Sequence, residues 1–159
     1  MVTRMRRAPE RRRPALSGVA LREAKVDDIE GMHVVRLAVR ENRLSRPDVV
    51  TAAHYREMLD LRGKGWVVED GGRIVAFSIA DLRTRSIWAL FVDPDHEGQG
   101  HGRRLLAHAV EWLFAARAPS IWLTTAPGTR AERFYLAAGW TRVGIEPTGE
   151  VRFERAIPA

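Results

Sequence analysis

A glycine-rich loop is the part of this sequence best suited to bind a ligand. It reads Gly98-Gln99-Gly100-His101-Gly102 and is followed by Arg103 and Arg104, with no acidic residue anywhere in 98–107. The start of a helix carries unpaired N–H groups and partial positive charge, and acidic or capping side chains usually offset them. Glycines also leave the backbone open to close approach. The loop therefore predicts an anion site for a phosphate group; the alternative is a plain connection with two solvated arginines.

Two common nucleotide-binding patterns do not fit this spacing. A P-loop needs G-x-x-x-x-G-K-[ST], and no lysine follows a glycine here at that spacing. A dinucleotide fingerprint needs G-x-G-x-x-G and an acidic residue at the end of the next strand. This loop is G-x-G-x-G, and the next predicted strand ends Leu123-Thr124-Thr125. The pattern excludes both familiar nucleotide sites and leaves a phosphate ligand of another kind.

The segments on either side of the loop predict a buried strand and an amphipathic helix. The run Ile87–Val92 is entirely apolar, which is typical of a buried strand. Asp93-Pro94-Asp95 follows, and proline disfavours helix both at its own position and at the preceding residue. After the loop, apolar residues recur with the period of a helix, and they are Leu105, Leu106, Ala109, Val110 and Leu113. The local order is strand, loop, helix.

Apolar periodicity over the rest of the chain predicts one α/β domain. The element order is β-α-α-β-β-β-α-β-α-β-β, a mixed central sheet of about seven strands with helices on both faces. We expect a helix over Thr51–Leu61, ended by Gly63-Lys64-Gly65, and a capping box formed by Thr129 and Glu132 at the last helix. This domain spans residues 18–159.

The positive charge of the chain is concentrated in an N-terminal arm. The net charge is +6, and the segment Arg4–Arg13, with six arginines and one glutamate, supplies +5 of it, which leaves +1 for the rest. Residues 1–17 show no apolar periodicity, so we expect a disordered arm. Such an arm can bind nucleic acid or an anionic membrane, but more often it is a solvated extension. The near-neutral body argues against a nucleic-acid-binding protein.

Composition excludes several other classes. The chain has no cysteine, which rules out disulfides, thiolate metal sites and a cysteinyl acyl-enzyme. Its five histidines show no metal-binding spacing, so no metal is predicted. No apolar run approaches the ~18 residues of a membrane span, and the N-terminus lacks the apolar core of a secretory signal. We expect a cytoplasmic protein that does not enter a membrane.

The glycine loop resembles the acetyl-CoA motif of the GCN5-related N-acetyltransferases, the GNAT superfamily. That motif is Arg/Gln-x-x-Gly-x-Gly/Ala after an apolar strand, and it aligns with 97–102. Gly100 and Gly102 match, whereas Glu97 replaces the usual Arg or Gln.

A later segment, 128–140, resembles the second signature of the same superfamily, Asn-x-x-Ala-x-x-x-Tyr-x-x-x-Gly-Phe. Ala131, Tyr135 and Gly139 match it, whereas Gly128 stands for Asn and Trp140 for Phe. The resemblance extends over about 18–154, and the two motifs occur in the family order.

The resemblance implies a site for acetyl-CoA as co-substrate. In the family, the central strand splays from the next parallel strand, and the thioester arm of CoA lies in the gap. Carried over, the arm borrows backbone hydrogen bonds from Leu90, Phe91 and Val92, as in strand addition. An N–H near Leu90 would stabilise the oxyanion. The amides of 99–103 would hold the pyrophosphate.

By the same resemblance, Tyr135 is the general acid that protonates the departing thiolate, since a phenol and a thiol have similar pKa values. The alternative is a tyrosine that only packs in the helix. The base stays open among surface charges, with Glu41, Glu69, Asp81 and His96 as candidates.

The family places the acceptor between the first two helices and the central strands, which here implies the loop 40–45, with Asn42 and Leu44, and Trp88 nearby. Those residues suit a small amine, an amino acid or a peptide N-terminus equally. The predicted function is transfer of an acetyl group from acetyl-CoA to a primary amine by direct attack in a ternary complex. The alternative is a catalytically idle acyl-CoA sensor or binding module. A homodimer is compatible with the sequence.

Overall fold

The computed structural model describes residues 18–158, so the predicted arm and Ala159 lie outside the described residues. The elements are β1 (Val19–Glu23), α1 (Ile29–Ala38), α2 (Ala52–Glu57), β2 (Gly63–Asp70), β3 (Arg73–Asp81), β4 (Ser86–Val92), α3 (His101–Ala115), β5 (Ser120–Thr125), α4 (Arg130–Ala137), β6 (Thr141–Ile145) and β7 (Val151–Ala156). Within the described part of the chain, no helix has the length and apolar character needed to cross a membrane. The order of helices and strands is the one that the sequence predicts.

The seven strands form one mixed sheet in the order β1-β2-β3-β4-β5-β7-β6. Only β4 and β5 are parallel neighbours, and every other pair is antiparallel. The α3 crossover joins the two parallel strands, as a parallel connection requires. The predicted α/β fold is confirmed.

Helices cover both faces of the sheet because the central strands present apolar side chains alternately to each side. On one face, Met32 of α1 and Tyr55 of α2 pack against Phe77 of β3. On the other face, Leu105 of α3 and Tyr135 of α4 belong to a second buried cluster. The two apolar clusters therefore pack on opposite faces of the sheet and fix the position of its middle strands.

The second helical segment ends within one residue of the predicted position. The helix α2 covers Ala52–Glu57 and is followed directly by a π-helical turn over Met58–Arg62. Gly63-Lys64-Gly65, which the sequence predicts only to end the helix, also begins β2. A Cβ at Gly63 would lie 1.7 Å from the carbonyl oxygen of Ala80, so glycine is needed there for close approach of two strands, a role that local sequence does not reveal.

The strands β4 and β5 pair at one end only. Their single paired position is Ser86 with Trp122, and the amide of Trp122 donates to the carbonyl of Arg85 at 3.2 Å. Beyond this point the strands diverge. The edge of β4 that faces β5 therefore lacks a ladder partner over Ile87–Val92, which leaves backbone donors and acceptors available.

A bulge in β4 lies at the same place. Ile79 of β3 pairs with Ala89, and Ala80 pairs with Ile87, so Trp88 has no opposite residue in β3. A bulge bends its strand and redirects the extra side chain. Trp88 packs at the border of the core cluster formed with α1 and α2.

The ion pair between Arg22 of β1 and Asp28, just before α1, provides a test of the fold. Arg22 donates to both carboxylate oxygens of Asp28, at 2.8 and 2.7 Å, and the Asp28 side chain is only 10% exposed. The hydrogen bond from Arg22 lowers the pKa of Asp28. We expect Asp28→Asn to reduce the free energy of unfolding at pH 7 by about 1.5–3 kcal/mol, the range for hydrogen bonds to charged groups.

The same pair predicts a pH dependence. Because the pKa of Asp28 is lower in the folded protein, its contribution is present above the ordinary carboxyl pKa and is lost as the pH falls through the folded value. The stability difference between wild type and Asp28→Asn should shrink between pH 5 and pH 3 in urea denaturation. Exposed Asp27 supplies the matched control, Asp27→Asn; an equal loss in both variants would contradict the prediction.

Candidate active site

Two cavities meet where β4 and β5 diverge. The glycine-loop cavity, about 660 Å³, lies between the end of β4, the start of α3 and α4. The tryptophan cavity, about 440 Å³, lies between β4, β5 and the loop after α1, with Trp88 and Trp122 in its wall. The residues that line both are Asn42, Leu90, Phe91, Ala131 and Tyr135. A ligand in one cavity can therefore contact a ligand in the other at these residues.

The glycine loop leads directly into α3. Gly100 is the residue before the helix, with φ +82°, and no side chain caps the helix start. The first turn carries no acidic residue. The N–H groups of this first turn therefore have no side-chain partner, and they lie beside the glycine-loop cavity, which Gly98, Gly100, Gly102 and Arg103 line. Gln99 is not part of the cavity wall, and its side chain instead contacts His101.

The ring of His101 is neutral in this arrangement. Arg104 can only donate, so its contact of 2.9 Å makes Nδ1 of His101 the acceptor. Nε2 then carries the proton and donates to the side-chain oxygen of Gln99 at 3.1 Å. Burial, with a smaller effect of Arg104, lowers the pKa of His101. His101 lines the cavity but adds no charge there.

The structure accounts for the glutamate that departs from the family motif. Glu97 forms an ion pair with Arg130 at the start of α4. The amide of Arg130 donates to Glu41 at 2.8 Å, and all three residues line the glycine-loop cavity. Since Arg40 and Arg103 line the same cavity, its wall keeps an excess of positive charge, which suits an anionic ligand.

The second departure, Gly128, also has a structural reason. Its φ is +71°, a region that glycine enters without the cost that other residues meet. Its amide donates to the carboxylate of Glu132 at 2.7 Å, and the amide of Glu132 donates to the hydroxyl of Thr129 at 3.3 Å. In a capping box, the carboxylate of Glu132 would accept from the amide of Thr129. Here that carboxylate accepts from the amide of Gly128 instead, while the Thr129 hydroxyl accepts from the amide of Glu132 as the box requires. This cap begins the helix that carries Tyr135.

Tyr135 lies at the junction of the two cavities. Its ring makes edge contacts with Phe134 and Trp140, at centroid distances of 5.3 and 5.9 Å, and the residue is 6% exposed. Burial raises its pKa. The phenol therefore stays protonated through the neutral range and holds the proton that a general acid must give, while the same shift makes it a weaker acid than an ordinary phenol.

Trp88 is held in place from α2. The ring of Tyr55 meets it edge-on at a centroid distance of 5.4 Å. The Tyr55 hydroxyl bonds Nδ1 of His33 at 3.0 Å, and Nε2 of His33 bonds the carbonyl of Pro47 at 3.2 Å. Burial raises the pKa of Tyr55 to about 12, so this hydroxyl is also protonated. The network connects both helices and their loop to one wall of the tryptophan cavity.

Asn42 joins the loop after α1 to the end of β5. Its side-chain oxygen accepts from the amide of Ala126 at 2.7 Å and from the hydroxyl of Thr125 at 3.2 Å. This contact braces the divergent end of β5 and occupies the Asn42 oxygen that could otherwise contact a substrate. Leu44 lines the tryptophan cavity beside it.

The structure separates the four base candidates. Glu41 and His96 line the glycine-loop cavity. Glu69 of β2 accepts a hydrogen bond from Arg22 of β1. Buried Asp81 accepts hydrogen bonds from the side chain of Arg62 and from the amide of Arg83. The last two carboxylates stabilise the fold and lie outside both cavities.

Sequence reasoning missed two ionisable residues of the tryptophan cavity, Arg36 and Glu150. Arg36 interrupts the apolar surface of α1, and that interruption was the one available signal. Glu150 reaches the site only because β7 pairs with β5. Over residues 18–158, no cluster of three or more His, Asp or Glu side chains could hold a metal ion.

The structure resembles several solved acetyltransferases. One is the ribosomal-protein-S18-alanine N-acetyltransferase from Escherichia coli, with 18% identity, TM-score 0.69, and coverage of 89% of this chain and 94% of that chain. A second is PaiA N-acetyltransferase from Thermoplasma acidophilum in complex with coenzyme A, with 11% identity, TM-score 0.71, and coverage of 88% and 99%. A third is a streptothricin acetyltransferase, so named provisionally, from Bacillus anthracis in complex with acetyl coenzyme A, with 17% identity, TM-score 0.68, and coverage of 88% and 100%.

No curated protein matches the chain in sequence. The family described as Acetyltransferase (GNAT) matches residues 31–140. This match includes most of α1, the divergent pair of strands, the glycine loop and α4, which supply most of the lining of both cavities. The chain therefore belongs to the GNAT acetyltransferase family.

Proposed function

We propose that this protein transfers an acetyl group from acetyl-CoA to a primary amine by direct attack within a ternary complex. The observation that carries the proposal is the meeting of two cavities at Leu90, Phe91 and Tyr135. One cavity has the features of an anion site and the other is aromatic and polar. A reaction between two bound substrates needs such an arrangement, because it holds both reacting groups at one point.

Acetyl-CoA would occupy the glycine-loop cavity. Its pyrophosphate would accept hydrogen bonds from the amides at the start of α3, between Gln99 and Arg103. Its thioester arm would pair with the unpaired edge of β4 along Leu90, Phe91 and Val92. Family membership and the CoA and acetyl-CoA complexes of two similar structures support this choice of co-substrate.

The chemistry is one acyl transfer. The neutral amine nitrogen attacks the thioester carbonyl carbon, and the carbonyl oxygen, now negative, accepts a hydrogen bond from a β4 amide near Leu90. The C–N bond forms and the C–S bond breaks. The sulfur leaves with the proton of the Tyr135 hydroxyl, and the nitrogen loses its surplus proton. Since the chain has no cysteine, no acyl-cysteine intermediate is involved.

Glu150 is the residue that we propose to take the proton of the amine, directly or through water. Its carboxylate lines the tryptophan cavity and accepts from the hydroxyl of Thr124 at 3.1 Å. The carboxylate lies on the acceptor side, whereas Glu41 and His96 lie on the side proposed for acetyl-CoA. A base on the acceptor side can reach the amine without crossing the thioester.

Two measurements test the proposed function. Acetyl-CoA should raise the melting temperature, since a ligand that binds only the folded state stabilises it. Release of the CoA thiol should then depend on an added primary amine, with no release in its absence. Stabilisation by acetyl-CoA without thiol release from any amine of a broad panel would favour the idle acyl-CoA sensor instead.

A further inference from the structure

Arg36 of α1 is a half-buried cation with unused hydrogen-bonding capacity. It lines the tryptophan cavity, and its Nε and Nη1 atoms are buried without any hydrogen-bond partner. A buried donor without a partner is costly, and a buried charge is more so. Such a group usually has an explanation in function or in a ligand.

The surroundings of Arg36 hold the guanidinium in place but do not neutralise it. Its central carbon lies 4.5 Å from the centre of the Phe91 ring and 5.6 Å from that of Trp88. Stacking on rings fixes the plane of a guanidinium and leaves its N–H edge for an anion. Glu150 and the Tyr55 hydroxyl act on it only through space.

The charge of the tryptophan cavity also indicates a ligand with an anionic group. Its ionisable lining residues are the cations Arg36 and Arg43, the carboxylate Glu150 and the phenol Tyr135, which is protonated. Two positive charges face one negative charge, so an acceptor with only an ammonium group would leave the cationic excess uncompensated. An acceptor that also carries an anion would balance it.

We propose that the acceptor is an amine that also carries a carboxylate, an amino acid small enough for a cavity of about 440 Å³, and that Arg36 binds this carboxylate. The inference rests on the proposed function and specifies its substrate class. Arginine suits the role because its planar N–H fork matches both oxygens of a carboxylate. Trp88 and Phe91 keep that fork beside β4, next to the position proposed for the thioester.

The test compares amino acids with their carboxamides, which keep the amine nitrogen and lose the negative charge, with rates expressed per concentration of neutral amine because amidation lowers the pKa of the amine. Thiol release is measured for matched pairs such as glycine and glycinamide, β-alanine and β-alaninamide, and phenylalanine and phenylalaninamide. We expect kcat/KM to favour the acid of at least one pair by roughly 10- to 100-fold, the range of one charge-assisted hydrogen-bond pair. A wild type that uses acids and amides equally overturns the inference, while the proposed function stands.

Variants of Arg36 assign the preference to this residue. Arg36→Met should lower kcat/KM for the acid by about the same factor, mainly through KM, and leave the amide nearly unchanged. Arg36→Lys should restore part of the preference. Arg46→Met is the matched control, because Arg46, in the loop after α1, has a side chain that is 74% exposed and lines neither cavity.

A purely structural role for Arg36 predicts a different result. Acid and amide would then lose activity equally in Arg36→Met, which overturns the inference. If that variant does not fold, inhibition of the wild type decides the question: an N-acetylated amino acid should compete with the acceptor at least 10-fold better than its carboxamide. Equal inhibition overturns the inference. If no amine at all releases thiol, the proposed function fails, and the inference fails with it.

Discussion

Tyr135→Phe should lower kcat and kcat/KM together by roughly 10²–10⁴-fold, the usual value of general acid catalysis. The substitution removes one hydroxyl from the junction of the two cavities and keeps the ring that packs against Phe134 and Trp140. Proton donation to the leaving thiolate occurs in the transition state, so KM for acetyl-CoA should change little. Steady-state thiol release at saturating amine measures the effect.

The free energy of unfolding distinguishes a catalytic role of Tyr135 from a role in packing alone. Burial alone raises the pKa of Tyr135, with no hydrogen bond contributing, so loss of the hydroxyl should change the free energy of unfolding by less than about 1 kcal/mol. Tyr55→Phe is the matched comparison, since its hydroxyl bonds His33; it should lose more stability and far less turnover. A Tyr135→Phe enzyme with more than about half of the parent rate, with chemistry rate-limiting, would exclude the tyrosine as the acid.

The fold could be predicted because its signals are local. Apolar runs such as Ile87–Val92 and the helical stripe after the glycine loop are each confined to a short stretch of sequence, and the order of these elements predicts the α/β fold. Local signals did not predict that β2 begins at Gly63. Gly63 and Gly65 allow close contact with β3 and with Leu59 and Ala24, and such tertiary contacts are indistinguishable in sequence from a turn.

The candidate site was predictable only where motifs exist. The glycine loop and the Tyr135 segment carry recognisable spacings, and both line one cavity as the resemblance implies. Arg36 and Glu150 belong to no motif. Both line the same cavity because Arg36 of α1 packs over Trp88 and Phe91 of β4, and because β7 pairs with β5. Pairing between distant segments sets these positions, and periodicity along the chain carries no record of it.

Glu69 and Asp81 are the two open base candidates that the structure places outside both cavities. The sequence does not show whether a carboxylate near the central strand has a cationic partner, so each of the two stays a candidate base. In the structure each is bound to an arginine, Arg22 and Arg62, so its charge is already used to hold strands and turns together. Whether a carboxylate is free or paired depends on partners that lie 47 and 19 positions away in the chain.

Gly102→Val should weaken binding of acetyl-CoA by roughly 10- to 100-fold or more without loss of stability. A Cβ at Gly102 would lie 3.6 Å from Val92 and 3.8 Å from Phe134, which is ordinary contact, and the φ of Gly102 is not in the left-handed region. The new side chain therefore fits the fold but occupies the glycine-loop cavity, which all three residues line. Each charge-assisted hydrogen bond lost by the pyrophosphate costs about 1.5–3 kcal/mol.

The expected signature combines weaker binding with equal or higher stability, because valine is a better helix residue than glycine. Calorimetry with acetyl-CoA and thermal denaturation measure the two quantities. Gly102→Ala should lie between wild type and valine in affinity. Gly18→Val is the matched control, since a Cβ at Gly18 meets no atom within 4 Å. Unchanged affinity in Gly102→Val would place the pyrophosphate elsewhere, because no ligand seated on the first turn of α3 could avoid the added methyl groups.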